Sequence, residues 1–295
     1  MQIGLIGTSI AVMAWGSAGV VAKAIDMGGI AISFWRFVAY SIVLAAWMTW
    51  RGKRLSRRAL AASFLGGVSL GLDVVFFFTA VKHTNIVNAT TIASMQPLVV
   101  AAFAAKLFGE RIRGRDVVAS LVAILAVVVI VVESSGTPEW SGGGDLAALG
   151  ALFAWSGYFI FSKRSKGAIT SQEYTTGTGV WTALICLVCG FAFGQDMSFP
   201  ASNDWLPLLA LTFGAGILGH SMMNWSLVRV PLWLASTLTL LIPVVSALAA
   251  WLFLDEPLTI IQLLAMTIVV GALATIVMSQ RQPVPERTPQ TARTR

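Results

Sequence analysis

The stretch that decides the fold is residues 86–110, which reads IVNATTIASMQPLVVAAFAAKLFGE. It is apolar and long enough to cross a bilayer, with Pro97 near its middle and Glu110 at its end. The pattern returns 146 residues later, in residues 232–256, where seven of 25 positions are identical: Ala89/Ala235, Thr91/Thr237, Pro97/Pro243, Val99/Val245, Ala101/Ala247, Ala104/Ala250 and Glu110/Glu256. Because about two matches are expected by chance in so apolar a chain, the sequence predicts an internal duplication.

The matched prolines predict two bent helices. Proline has no N–H and collides with the carbonyl four residues before it, so Pro97 and Pro243 deprive Ala93 and Thr239 of their usual partners. Lipid cannot pair such groups, whereas neighbouring protein or a water-filled cavity can. We therefore expect Pro97 and Pro243 to be hinges beside a central cavity. A packing kink without a role in function is the alternative.

Composition places the chain in the membrane. Hydrophobic residues make up 57% of its 295 residues and charged residues 11%, and the mean hydropathy is +0.80. This composition predicts an all-α integral membrane protein. Ten transmembrane helices are expected at residues 3–22, 31–50, 59–81, 86–107, 116–133, 145–162, 173–194, 205–227, 233–254 and 259–279.

The basic residues predict the orientation. Seventeen of the 20 lie in connectors and a tail that share one side of the membrane, whereas Lys23 and Lys82 lie on the other side and Arg36 lies within the second helix. Since cytoplasmic loops are rich in Lys and Arg, both termini are expected in the cytoplasm. The net charge of +7 is therefore a property of membrane connectors and does not indicate a nucleic-acid partner.

The helices divide into two repeats. Residues 3–133 form the first repeat with five helices, residues 134–144 a periplasmic linker, residues 145–279 the second repeat, and residues 280–295 a disordered cytoplasmic tail. Because five is odd, the second repeat enters the membrane upside down, so the repeats are inverted around the central cavity.

A second pair of motifs supports the duplication and suggests a family. Residues 13–17 (MAWGS) resemble residues 153–157 (FAWSG), and each tryptophan is followed eight residues later by a lysine, Lys23 or Lys163. These motifs, together with Arg36, Pro97 followed by FGER at 108–111, and Pro243 followed by LDEP at 254–257, resemble the drug/metabolite transporter superfamily, in its ten-helix EamA-like branch. Within that branch the chain is most similar to the YddG-type exporters. The resemblance implies export of small metabolites, aromatic and other neutral amino acids among them, across the bacterial inner membrane.

Two ionisable residues are expected deep in the bilayer. Asp73 lies about eight residues, or ~12 Å, inside its helix, where it could pair with a cation such as Arg36, hydrate the cavity or couple transport to protons. Arg36 itself is close enough to a helix end to serve as an anchor. His220, with Asn224 one turn later, could bind a zwitterion or be held by a neighbouring carbonyl.

Further candidates for the cavity are amides and tryptophans. Asn88 and Gln96 share one face of their helix and could line the cavity or join helices. Trp15, Trp155 and Trp181 lie too deep for an interfacial belt, so they form either a packed core or an aromatic wall for a substrate.

No motif indicates an enzyme. The sequence has no phosphate-binding glycine loop, no zinc pattern and no nucleophile with a supporting base, so no catalytic residue, metal or cofactor is expected. The expected partners are the lipid bilayer and a small-molecule substrate, an amino acid in the leading hypothesis. Efflux of lipophilic drugs or other metabolites is the alternative, and an intramembrane enzyme a weaker one. The substrate, the coupling ion and the oligomeric state, for which a monomer is one option, stay open.

Overall fold

The computed structural model describes residues 1–84, 86–136 and 141–280. Within these ranges ten helices are long and apolar enough to cross a membrane. Numbered in chain order, spans 1 to 10 are Gln2–Ala22, Gly29–Trp50, Arg57–His83, Val87–Phe108, Gly114–Ser135, Gly142–Arg164, Ser171–Ala192, Trp205–Leu227, Leu232–Leu254 and Ile260–Ser279. The prediction of an all-α protein with ten such helices is confirmed.

The predicted boundaries agree closely with the observed ones. The largest difference is at the start of span 6, which was expected at residue 145 and begins at Gly142. Residues 137–140 of the predicted linker and 281–295 of the predicted tail lie outside the described residues.

The two halves interleave instead of packing as separate bodies. Span 3 packs along spans 6 and 7 of the second half, and span 8 packs against spans 1 and 2 of the first. These contacts are equivalent under the duplication, but those of span 3 are the more extensive. The structure is therefore not symmetric, and its two ends differ.

Small residues let spans 3 and 7 approach closely. Gly67 and Gly71, one turn apart on span 3, face span 7. The Thr182 hydroxyl donates a hydrogen bond to the Gly67 carbonyl (3.1 Å), and the Trp181 indole donates to the Leu60 carbonyl (2.9 Å). Close contact of this kind holds membrane helices together, because lipid supplies no hydrophobic force between them.

Spans 4 and 9 are broken just before their prolines, as the sequence predicts. At the breaks, bonds to the third preceding residue replace helical ones: the Met95 amide donates to the Ile92 carbonyl (3.0 Å), and the Ile242 amide to the Thr239 carbonyl (2.8 Å). The Thr239 carbonyl, expected to lose its partner, is thus paired. The half-helices are Ile86–Ala93 and Gln96–Phe108 in span 4, and Leu232–Leu238 and Leu241–Leu254 in span 9.

Spans 1 and 8 are also irregular, which the sequence analysis did not predict. Span 1 is interrupted at Ser17, and span 8 contains a π-helical segment, Thr212–His220, between two short α-helices. This segment includes three glycines, which lower the cost of the wider turn. Such segments are often found at functional sites.

Spans 4 and 9 end alike. Gly109 and Asp255, which are equivalent at the 146-residue shift, both adopt left-handed backbone, with φ of 63° and 55°. Asp255 is the only residue other than glycine with positive φ in the described chain. Each is followed by a glutamate, Glu110 or Glu256, so the duplication extends to the turn that aims these carboxylates.

Gly67→Ala is expected to lower the thermal unfolding midpoint of the purified protein. A Cβ at Gly67 would lie 2.9 Å from the Thr178 carbonyl oxygen, so the helices would have to separate; the cost of such overpacking is about 1–3 kcal/mol. The matched control is Gly271→Ala in span 10, where no atom lies within 4 Å of the new Cβ. Because alanine is the better helix former, the control should be neutral or stabilising. Equal midpoints for both variants would contradict this account of the interface.

Candidate functional site

A cavity of about 630 Å³ lies between the two halves. It extends from Lys23 and Met27, at the connector between spans 1 and 2, to His220 in the middle of span 8. Its size suits a small molecule. A smaller cavity of about 370 Å³ between spans 2, 7 and 8 is lined without any titratable side chain. We therefore take the larger cavity as the candidate site.

The deep end of the cavity is aromatic. The rings of Trp15 and Trp155, which the sequence pairs as equivalents, meet edge to face with centroids 5.1 Å apart. The His220 ring lies 5.2 Å from that of Trp15, and the Trp15 indole donates to the Ala215 carbonyl in the π-helical segment (2.9 Å). With its N–H already paired, the Trp15 ring offers mainly an apolar surface to a ligand.

A buried hydrogen-bond chain behind this end fixes the tautomer of His220. The Thr175 hydroxyl donates to a carbonyl of its own helix (2.7 Å) and accepts from the Asn224 amide nitrogen (2.9 Å). The Asn224 oxygen therefore faces the Tyr158 and Ser162 hydroxyls, 3.0 and 2.7 Å away, and both donate to it. The Tyr158 oxygen then accepts from Nδ1 of His220 (3.0 Å). This leaves Nε2 of a neutral imidazole available as an acceptor.

A basic and an acidic side chain share the wall of this cavity. Arg36 of span 2 and Asp73 of span 3 both line it. The sequence favours an anchoring or pairing role for Arg36, and in the structure its Nε is fully buried and has no hydrogen-bond partner. The position of Arg36 along its helix does not predict this burial, because the cavity, and not lipid, lies beside the turn that carries Arg36.

The structure brings together four of the residues proposed from the sequence and leaves four outside the cavity. Trp15, Asp73, Trp155 and His220 line it, whereas Asn88, Gln96, Trp181 and Asn224 do not. Asn224 supports His220 from behind through Tyr158, and Trp181 joins spans 7 and 3.

The two amides of span 4 make contacts with other spans. Asn88 donates to the Asp145 carboxylate of span 6 (2.9 Å), which also accepts from Thr84. The Gln96 side-chain amide lies 3.3 Å from the Thr239 hydroxyl, a contact that joins the break in span 4 to the break in span 9. Both amides therefore connect helices in this structure, which was one of the two roles expected for them.

One end of the molecule is sealed by Glu110. Its carboxylate accepts from the backbone amides of Leu232 (2.7 Å) and Trp233 (3.1 Å) at the start of span 9. Lys163 at the end of span 6 lies 3.3 Å from the same carboxylate and donates to the Val230 carbonyl (2.6 Å). A carboxylate that caps a helix N-terminus and pairs with a lysine holds three spans together.

The equivalent pair at the other end is open to solvent. Lys23 and Glu256, the counterparts of Lys163 and Glu110, are 2.5 Å apart, but their side chains are 61% and 52% exposed. The side chains of Lys163 and Glu110 are only 13% and 12% exposed. Since Lys23 also lines the cavity, the molecule is closed at the Lys163 end and open at the Lys23 end.

Comparison with known proteins gives consistent matches over most of the chain. The model of the EamA-like transporter family matches residues 2–132 and again residues 142–278. A solved crystal structure superposes with a TM-score of 0.83 over 95% of this chain and 99% of the other, at 21% identity, which shows a shared fold. That one family model matches both halves also supports the internal duplication.

Several bacterial proteins are similar in sequence. The chain is 29% identical over 203 residues to "Aromatic amino acid exporter YddG" of Ancylobacter novellus, covering 68% of this chain and 64% of that protein. It is 28% identical over 195 residues to "Probable amino-acid metabolite efflux pump" of Escherichia coli, covering 63% and 65%. It is 26% identical over 234 residues to "Threonine/homoserine exporter RhtA" of Escherichia coli, covering 78% and 75%. The first two alignments span slightly less than two thirds of the relatives.

Glu110→Gln is expected to open the sealed end. The amide loses the ion pair with Lys163 and weakens the cap on span 9, at a cost of about 1–3 kcal/mol. In a background in which the free cysteines Cys186 and Cys189 are alanine, Val230→Cys at the sealed end should react slowly with a maleimide, and Met27→Cys at the open end quickly.

In the Glu110→Gln variant the Val230→Cys rate should rise and the Met27→Cys rate fall. The control is Glu256→Gln, whose exposed ion pair contributes little, so that both labelling rates should change by less than twofold. Unchanged labelling in Glu110→Gln would show that this contact does not hold the end closed.

Proposed function

Because this chain belongs to the EamA-like transporter family, we propose that it is a secondary transporter that exports small neutral metabolites, in particular aromatic and other neutral amino acids, by alternating access. The family resemblance inferred from the sequence is confirmed, and the chain is a transporter of small metabolites and not an enzyme. The finer proposal, the substrate class and the mechanism, is supported by the site.

The observation that carries the proposal is the combination of groups in the cavity. An aromatic end formed by Trp15, Trp155 and His220 suits the side chain of an amino acid, and Arg36 and Asp73 offer a basic and an acidic group in the same cavity for its polar groups. An uncharged lipophilic drug offers no partner to Arg36 or Asp73, and a lipophilic cation offers none to Arg36. The relatives include proteins named as exporters of aromatic amino acids and of threonine and homoserine.

The charge distribution indicates which end of the cavity faces the periplasm. With both termini in the cytoplasm of a bacterial cell, as the basic connectors indicate, the sealed end with Lys163 faces the cytoplasm and the open end with Lys23 faces the periplasm. The described state is then the one that releases substrate outward. Alternating access requires the opposite state, in which the Lys23 end closes and the Lys163 end opens.

The function is tested by counterflow in proteoliposomes with radiolabelled phenylalanine and threonine. Transport above protein-free vesicles is expected for both. Trp15→Ala should reduce phenylalanine transport about tenfold, because an aromatic contact in a desolvated pocket is lost. The control is Trp50→Ala, which removes a side chain that is 73% exposed at the end of span 2. Transport of lipophilic cations such as ethidium without any amino acid would replace this proposal by drug efflux.

The prolines are proposed as the hinges of this exchange. Pro97→Ala and Pro243→Ala would each return an amide donor to the helix and straighten it. Since the repeats are inverted, the two changes are expected to shift the protein in opposite directions, as reported by the relative labelling of Met27→Cys and Val230→Cys. The control is Pro207→Ala, in the first turn of span 8, where proline interrupts no helical bond. Normal transport and labelling in both hinge variants would make the prolines packing features.

A further inference from the structure

Arg36 and Asp73 are exceptional among the charged groups within the spans. Arg36 lies seven residues from the start of span 2 at Gly29, and Asp73 ten residues from the end of span 3 at His83. At a rise of 1.5 Å per residue these positions are about 10 and 15 Å from the open end of the molecule. Both charges therefore lie well inside the membrane, at similar depths.

The carboxylates that are buried in the described chain are paired. Asp116 accepts from Ser279 and Gln280, Asp145 accepts from Thr84, Asn88 and the Ser141 amide, and Asp204 accepts from the Asp26 amide. Because an unpaired charge in the bilayer is costly, such pairing is expected.

Asp73 and Arg36 lack such partners. In the described parts of the chain neither side chain makes a hydrogen bond, and Nε of Arg36 is buried without a partner. Arg36 has one aromatic contact, with its Cζ 4.7 Å from the centre of the Phe37 ring. The two side chains do not form an ion pair with each other, although they line the same cavity. The two side chains thus have hydrogen-bonding capacity that no group of the described chain uses, at the wall of the cavity.

We propose that Arg36 binds the carboxylate and Asp73 the ammonium group of a zwitterionic α-amino acid, an inference that rests on the proposed function. A guanidinium binds a carboxylate through two parallel hydrogen bonds, and a carboxylate accepts readily from an ammonium group. A zwitterion brings one group of each sign, so both charges are paired and the filled cavity has no added net charge. A ligand with only an amino group leaves Arg36 without a partner, and a ligand with only a carboxylate leaves Asp73 without one.

This assignment predicts a specificity that can be measured with three ligands that share one phenyl ring. Phenylalanine carries both charges, 3-phenylpropanoate only the carboxylate, and 2-phenylethylamine only the ammonium group. Binding to the purified protein is measured by displacement of radiolabelled phenylalanine and by ligand-dependent thermal stabilisation. The wild type should bind phenylalanine at least about tenfold more tightly than either analogue, since each lost charge-assisted contact costs about that much.

Substitutions of Arg36 and of Asp73 should each abolish a different ligand preference. Arg36→Gln should lose the preference for phenylalanine over 2-phenylethylamine, and Asp73→Asn the preference for phenylalanine over 3-phenylpropanoate. Arg36→Lys should recover part of the carboxylate preference, which a purely structural role does not predict. The controls are Lys82→Gln and Asp196→Asn, which make the same charge changes at exposed positions outside the cavity and should keep the wild-type order of affinities.

The outcomes separate this inference from the proposed function. Wild-type protein that binds an analogue as tightly as phenylalanine would overturn the inference whether or not the variants fold. Equal loss of all three ligands in both variants would also overturn it, because it indicates a structural role. Either result leaves the proposed function intact if the wild type still transports amino acids in proteoliposomes. Absence of such transport would instead reject the proposed function, and absence of phenylalanine binding would reject both.

Discussion

The structure depends on one constraint, that a backbone polar group within a lipid bilayer must find its partner in the protein or in water. Six of the described spans satisfy this constraint as continuous helices, whereas spans 1, 4, 8 and 9 are interrupted or irregular. All four irregular spans contribute residues at or beside their irregular segments to the same cavity: Ala18, Ala93, Ala215 and Ile242. In the described spans, irregular backbone thus lies beside the cavity, where protein groups and solvent can form hydrogen bonds with it. The position of these segments therefore marks the site.

The duplication accounts for the irregularity of spans 4 and 9 but not for that of spans 1 and 8. Spans 4 and 9 are equivalent, and both are broken because both contain the proline. Spans 1 and 8 have spans 6 and 3 as their equivalents, yet spans 6 and 3 are regular helices. The regular spans 3 and 6 pack against each other more extensively than their irregular equivalents 8 and 1 do. Equivalent spans of the two repeats thus adopt different conformations in one molecule, as expected when each repeat can adopt either conformation.

The sequence predicted the features that follow from solvent preference and from proline chemistry. Hydropathy located the spans, and the matched prolines located two of the four irregularities. The π-helical segment could not be predicted, because the glycines of Thr212–His220 permit a wider turn but do not require it. Trp15 and Trp155, which the repeat pairs as equivalents, both line the cavity. A polar face was less informative: Asn88 and Gln96 join helices and His220 lines the cavity, and polarity alone does not distinguish these surroundings.

Arg36 shows where sequence reasoning about charge fails, and why. A basic residue a few turns inside a span is expected to extend to the surface, which is the cheaper solution when lipid surrounds it. The free-energy cost of keeping the guanidinium inside the membrane changes when solvent or a ligand replaces lipid. Whether lipid is replaced depends on residues distant in sequence, above all Asp73 and the broken helices that line the cavity. If the chain exports zwitterions as proposed, there is a reason for Arg36 and Asp73 to lack full partners within the protein. If they paired fully with protein groups, the substrate would have to break those bonds, and its binding would supply little free energy to stabilise the state that carries it.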